Sequence, residues 1–471
     1  MLKVALLFCI NKKVNINMKN FKVLITAFSI VAISLTACKK NNGEPVVVEP
    51  IAAETIPSNI TANKTLTNDR VWVLKGETHV KSGAVLTIDA GTVIKSDLST
   101  KGALVIDKGA RIEAVGTADK PIVFTSGRPI GERNPGDWAG ITVIGNAPTN
   151  RTSVGIVEGG VTGEFGLGTV ANDNSGTFKY VRIEYAGQAF STNSEVNALS
   201  LYAVGSGTTL DHIQVSYAQD DAFEFFGGTV NGKYLIAYGT KDDDFDFDFG
   251  YSGKLQFCVS YKLSGFYDAA DQSNGIECDN EGTVPGTGPS SPITKPVLSN
   301  FTFIGTNGND VAGSTNNFAV RFRRASRFAL HNSILLGYKA AGFSIESSYT
   351  AADYVSGSAT FKNNLVHAVA NPYQAFDASA QGVITSAAIK TKAEAEGSVT
   401  LAAATDAGLK APFIATAPDL IPNAGSPALA GTWVSPDGST FFTTVTYRGA
   451  FSATDNWMAT WTNFNPGQKV Y

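Results

Sequence analysis

Histidine and cysteine are scarce in this 471-residue chain, four of each. His79, His212, His331 and His367 lie far apart, with no triad order and no ligand spacing among them, which argues against a histidine-dependent hydrolase or a zinc centre. Cys258 and Cys278 are 20 residues apart. Two small core fillers are expected there, with a disulfide as the alternative in an oxidising compartment. The glycines at 159, 160, 163, 166 and 168 are not framed by a strand and a helix, so they form a loop and no phosphate cradle. The acidic stretches lack the ligand spacing of an EF-hand.

What the chain does contain is a repeat. Leu210–Tyr217 is followed by Asp220-Asp221-Ala222-Phe223-Glu224-Phe225, and Lys233–Tyr238 by Asp242-Asp243-Asp244-Phe245-Asp246-Phe247. A third copy runs from Leu255–Tyr261 through Asp268 and Asp271 to Gly275-Ile276-Glu277-Cys278. Tyr217, Tyr238 and Tyr261 are 21 and 23 residues apart. A period in the low twenties, built of short alternating strands with Gly, Asp and Asn at corners, marks a solenoid of β-coils. One coil cannot bury its own apolar face, so stacked coils share a core.

Side chains alternate in and out along a strand. This places Phe223, Phe225, Phe245, Phe247, Phe249 and Ile276 on one face, and Glu224, Asp246, Asp248 and Glu277 on the other. Stacked in register, the outward ladder reads Glu224, Asp246, Glu277, Arg321 and then Glu346, from Phe318–Arg323 and Phe343–Glu346. Like charges on adjacent strands repel, so a proton, a cation or a basic neighbour must compensate. Ca²⁺, a hard cation that takes several oxygen ligands, suits the dense acids. Asp220, Asp221, Asp243, Asp244 and Asp246 are the candidate ligands. The competing explanation is that these residues turn corners. Tyr185, Tyr217, Tyr238 and Tyr261 recur at coil spacing and predict a stacked column.

At the other extreme of the chain, Lys19 and Lys22 from Met18 onward precede the apolar run Val23–Ile33 and then Leu35-Thr36-Ala37-Cys38. The run is short for a membrane span, and the pattern resembles a lipoprotein signal with Cys38 as the acylated residue. Residues 1–37 are thus expected to be removed, 38–66 to be a tether, and 67–471 to be one β-helix domain. Processing lowers Lys+Arg from 37 to 32 against 41 Asp+Glu, a formal charge of −9. Bulk charge of that sign disfavours nucleic acid as a partner.

Before the acidic coils, Leu86–Ile94 matches Leu104–Ile112 at an offset of 18, with Gly91 and Gly109 at one corner that requires positive φ. Pro121–Ser126 and then Gly136-Asp137-Trp138-Ala139-Gly140-Ile141 follow. A strand of this kind and a turn of this kind resemble the pectin-lyase-like superfamily, and more narrowly β-helix lipoproteins of Bacteroidota-type bacteria. The resemblance covers about residues 70–470 and implies an all-β, right-handed parallel β-helix. Loop insertions are expected at 150–176 and 281–296, a short helix at 384–397, a closing coil near 418–429, and a tail with Trp457 and Trp461 that caps the open end.

The leading expectation is an outer-membrane lipoprotein, on the surface or periplasmic face, that binds a glycan or protein without catalysis. Membrane attachment is through Cys38, outer-membrane proteins are candidate partners, and no organic cofactor is expected. The alternative is a Ca²⁺-dependent polysaccharide lyase, for which the resemblance implies an acidic site with a basic residue as proton acceptor. Asp246, Glu277, Arg321 and Arg323 are its candidate residues. For these groups the preferred explanation is an ion-pair ladder through Glu277, Arg321 and Glu346 that relieves the repulsion.

Overall fold

A computed structural model describes residues 53–188, 196–280 and 289–471. Strands of two to nine residues wind into stacked coils. Each coil gives one strand to an 11-stranded parallel sheet that starts at Asn59–Ile60 and ends at Asn371–Ala375. Nineteen further strands form a sheet that wraps two further faces. Those faces meet in Gly176–Glu184, which pairs with both Arg111–Val115 and Ile122–Thr125. Two antiparallel pairs, Gly155–Ile156 with Glu164–Phe165 and Leu409–Ala411 with Asp419–Pro422, stand apart from the coils. The fold is the right-handed parallel β-helix that the repeat implies.

The alternation argument holds in the core. Phe223, Phe225, Phe245, Phe247 and Ile276 are fully buried, and the rings of successive coils stack, Phe223 on Phe245 at 5.1 Å and Phe225 on Phe247 at 5.0 Å. Phe249 breaks the pattern. Its strand stops at Asp248, and with φ 49° its ring turns outward onto Phe165 and Phe226. Those rings belong to the 150–176 insertion and the outer sheet face, so this insertion lies over the acidic side of the helix. Cys258 and Cys278 are free and buried as core fillers.

Three expectations need correction. Residues 53–66 are not tether: Ala53–Thr55, Asn59–Ile60 and Lys64–Leu66 form the first coil and pair with the second. Strands this short leave no readable period, which is why the sequence hides them. The tail does not cap the open end. Helix Ser386–Ala395 does, packing Ile389 and Ala393 into the core beside the last coil. The tyrosine column is stepped, because Tyr185 stacks on Tyr217 at 5.4 Å but Tyr238 is registered with Ser216, one residue off.

The tail instead straps the outside of the 19-stranded sheet. One corner of the coils is a single residue in the left-handed region, at Tyr180, His212, Tyr234, Phe257, Asn300, Asn332 and Asn363, with φ between 50° and 60°. The first four rings stack at 4.4, 4.4 and 5.3 Å. Asparagine tolerates this conformation, and its amide is free for another partner. Asn363 Nδ2 donates to Thr432 O, Asn332 Nδ2 to Val434 O and Asn300 Nδ2 to Tyr447 O. The chain then descends past the rings, with Trp457 on Tyr234 and Trp461 on Tyr180. It finishes with Tyr471 Oη donating to the buried Glu184 at 2.6 Å.

Candidate functional site

The acidic coils sit on the outward face of the 11-stranded sheet. Their pairing places Glu224 beside Asp246, Asp246 beside Glu277, and Glu277 beside Arg321, as the alternation requires. The next rung is Ser344, not Glu346. Glu346 lies two residues further along on the same face, beside Arg323, with its N–H donating to Phe322 O. Alternation fixes the face of a residue and leaves its rung undetermined.

Both arginines are fully engaged. Arg321 donates from Nε to Glu346 at 2.6 Å and from Nη1 to Glu277 at 2.9 Å. Arg323 donates from Nε to Asp279 at 2.7 Å and from Nη2 to Glu277. Arg324 takes the other oxygen of Asp279 at 2.6 Å. These are buried, charge-assisted pairs. Even so, burial pushes the Glu277 carboxyl up to about 7, against the pull of Arg323 and Arg321.

Away from the arginines the acids outnumber their partners. Oxygens of Asp220, Asp221 and Asp242 lie within 4.8 Å of one another, and so do those of Asp221, Glu224 and Asp246. Asp221 belongs to both groups. It also accepts the N–H of Asp243 at 2.8 Å, and Asp243 accepts that of Asn274 at 2.5 Å, so these two acids tie successive corners together. Among the described residues, Asp242 Oδ1 and Asp246 Oδ1 are buried with no hydrogen-bond partner. Burial, and after it the neighbouring carboxylates, raise Asp221, Glu224, Asp242, Asp243 and Asp246 well above the ordinary range. A buried carboxylate without a partner is costly, and a hard cation among five acids removes that cost.

The candidate ligands therefore separate. Asp220, Asp221 and Asp246 fall in the two oxygen clusters, and Glu224 and Asp242 join them. Asp243 stands at their edge. Asp244 faces away, fully buried, 3.2 Å from the equally buried Lys262 and 2.5 Å from Ser260 Oγ. Sequence reasoning missed Lys262, because nothing in Ser260-Tyr261-Lys262 distinguishes a buried ammonium from a solvated one. Cys38 lies outside the described residues.

The stacked coils and their acid-lined outer face define a parallel β-helix protein of the lyase-like architectural class. A family model for the pectate-lyase like beta helix domain matches residues 58–415, and the chain belongs to that family. Comparison with curated proteins and with solved structures gives no match.

Proposed function

We propose that this chain is a lipid-anchored protein of the cell envelope that binds an extracellular glycan or protein without catalysis, with Ca²⁺ held among its acidic coils. The observation that carries the cation is the pair of buried oxygens on Asp242 and Asp246 that have no hydrogen-bond partner among the described residues, each within a cluster of three acids. Asp220, Asp221, Glu224, Asp242 and Asp246 would supply the oxygens. The non-catalytic reading is supported by Arg321 and Arg323. Each guanidinium is hydrogen-bonded to two carboxylates, and Arg321 lies 3.8 Å from a third, Asp271, which leaves neither as a base for proton abstraction.

Calorimetric titration with Ca²⁺ is expected to show saturable heat, and chelator is expected to lower the melting temperature. Asp246→Asn should abolish both effects. Absence of heat together with an unchanged melt in chelator would overturn the cation. The lyase alternative is checked with acidic polysaccharides, by ultraviolet absorbance of an unsaturated product. A Ca²⁺-dependent rise on any substrate would replace the non-catalytic reading.

A further inference from the structure

We propose that the outer face of the first coils, on both sides of Tyr471, is a docking trough for an extended acidic and apolar segment of another protein. This rests on the binding reading above and names its partner class. One outward column of the 19-stranded sheet runs in unbroken register through Ala53, Val71, Val93, Val123, Arg182, Gln214, Ile236, Val259, Thr302, Ile334 and Leu365. Outward residues on a solvated sheet are normally polar. Here the column is apolar at its far end because the chain's own tail covers it. Ile236, Val259, Ile334 and Leu365 are buried in one cluster with Phe451, Met458 and Trp461 of the strap.

The strap reaches the column as far as Tyr471, and the apolar column runs on past that residue. Val71 and Val93 remain half-buried and Ala53 exposed, with nothing of the described chain laid over them. Two cavities flank Tyr471, of about 660 and 350 Å³. The larger is floored by Ala53, Val71 and Val73 and reaches Leu98, which is 38 % exposed. The smaller takes in Val93 and Val123.

The rim is cationic. Lys95, Lys120 and Lys469 line the two cavities, and the Arg133 guanidinium lies 5.1 Å from the Tyr471 ring. Among the described residues none of these four is paired with an Asp or Glu side chain, whereas Arg182 is paired with Glu184 at 3.4 Å. Lys95 Nζ donates to Tyr471 O at 3.0 Å. Two acids also face the trough, and both are satisfied by hydroxyls of their own turns. Asp97 accepts from Ser99 Oγ at 2.6 Å, and Asp119 from Thr117 Oγ1 at 2.7 Å. An apolar floor whose rim carries Lys120, Lys469 and Arg133, none paired with an acidic side chain of the described residues, complements a segment that carries both acids and aliphatic side chains.

The molecule itself shows what kind of chain lies on this column, since the strap is a polypeptide held there by side chains. In-register pairing on both edges consumes the main-chain groups of the floor strands Val71–Leu74 and Val93–Ser96, so a partner lying over them does not add as a strand. Its recognition depends on the cations and the aliphatic floor.

The experiment is fluorescence anisotropy with a short labelled peptide of alternating Glu and Val, using the mature chain and its Lys95→Glu and Lys120→Glu variants. Saturable binding that salt weakens and that each reversal weakens roughly tenfold, with melts unchanged, is the expected result. Lys120 is exposed, so its variant remains interpretable if Lys95→Glu perturbs folding. No binding, binding unaltered in both variants, or equal binding of an oligouronate would overturn the proposal. Ca²⁺ heat at the acidic coils is measured independently, so failure here is separable from failure of the cation reading.

Discussion

Arg321 stands between Glu277 and Glu346, its side chain only 9 % exposed. Removing one partner of a buried pair leaves the other charge stranded, at a cost of about 3–5 kcal/mol. Arg321→Ala should therefore lower stability in denaturant titration by about that much, and an unaltered midpoint would discard the ion-pair ladder. Asn332 is a second site where one residue does two jobs. Its φ is 55°, and its amide donates to Val434 O and Ser299 Oγ while its oxygen accepts from Asn363 Nδ2. Asn332→Gly keeps the corner and loses the bonds, costing roughly 1–3 kcal/mol. Asn332→Val adds the left-handed penalty of roughly 1–2 kcal/mol for a side chain. Denaturant midpoints should fall in the order wild type, Gly, Val, and equal values for the two variants would mean that the backbone conformation is not limiting.

At the scale of the acidic coils, the raised carboxyls make stability a function of pH. A carboxyl whose folded pKa exceeds its unfolded value binds protons more tightly in the folded state, so its contribution is present at acid pH and is lost as pH rises through the folded value. For Glu277 that window runs from about 4.5 to about 7, and Asp221, Glu224, Asp242, Asp243 and Asp246 shift in the same direction. In chelator the melting temperature should fall between those pH values, and Ca²⁺ should flatten the profile by stabilising the ionised cluster. Rising stability over that window in chelator would show that these acids are better compensated than their geometry indicates. Asp97 and Asp119 shift downward on exposed turns, where solvent screening limits their opposing effect.

Across the whole molecule, what was legible in the sequence is what repeats. Phe223, Phe225, Phe245 and Phe247 announce the core because two-residue alternation recurs every coil, and Glu224, Asp246 and Glu277 follow as its complement. The rung of Glu346 was illegible because positions two apart share a face, and Lys262 because burial of an ammonium leaves no local pattern. The strap was illegible for a deeper reason: residues 432–471 have no period, and their partners are set by three dimensions alone. Asparagine was legible only as a general corner residue of the coils, and nothing marked Asn300, Asn332 and Asn363 as hands holding another segment. That strap has a consequence for how the chain comes together. A repeat array ordinarily frays from its ends, because each unit touches only its neighbours. Here the bond from Lys95 to Tyr471 closes a separation of 376 residues, so the earliest coils made acquire this contact only when synthesis has reached Tyr471. The coils can zip up locally and fast, while completion waits on a slow, long-range closure; the strap converts a ladder that could melt rung by rung into a structure locked from its far end.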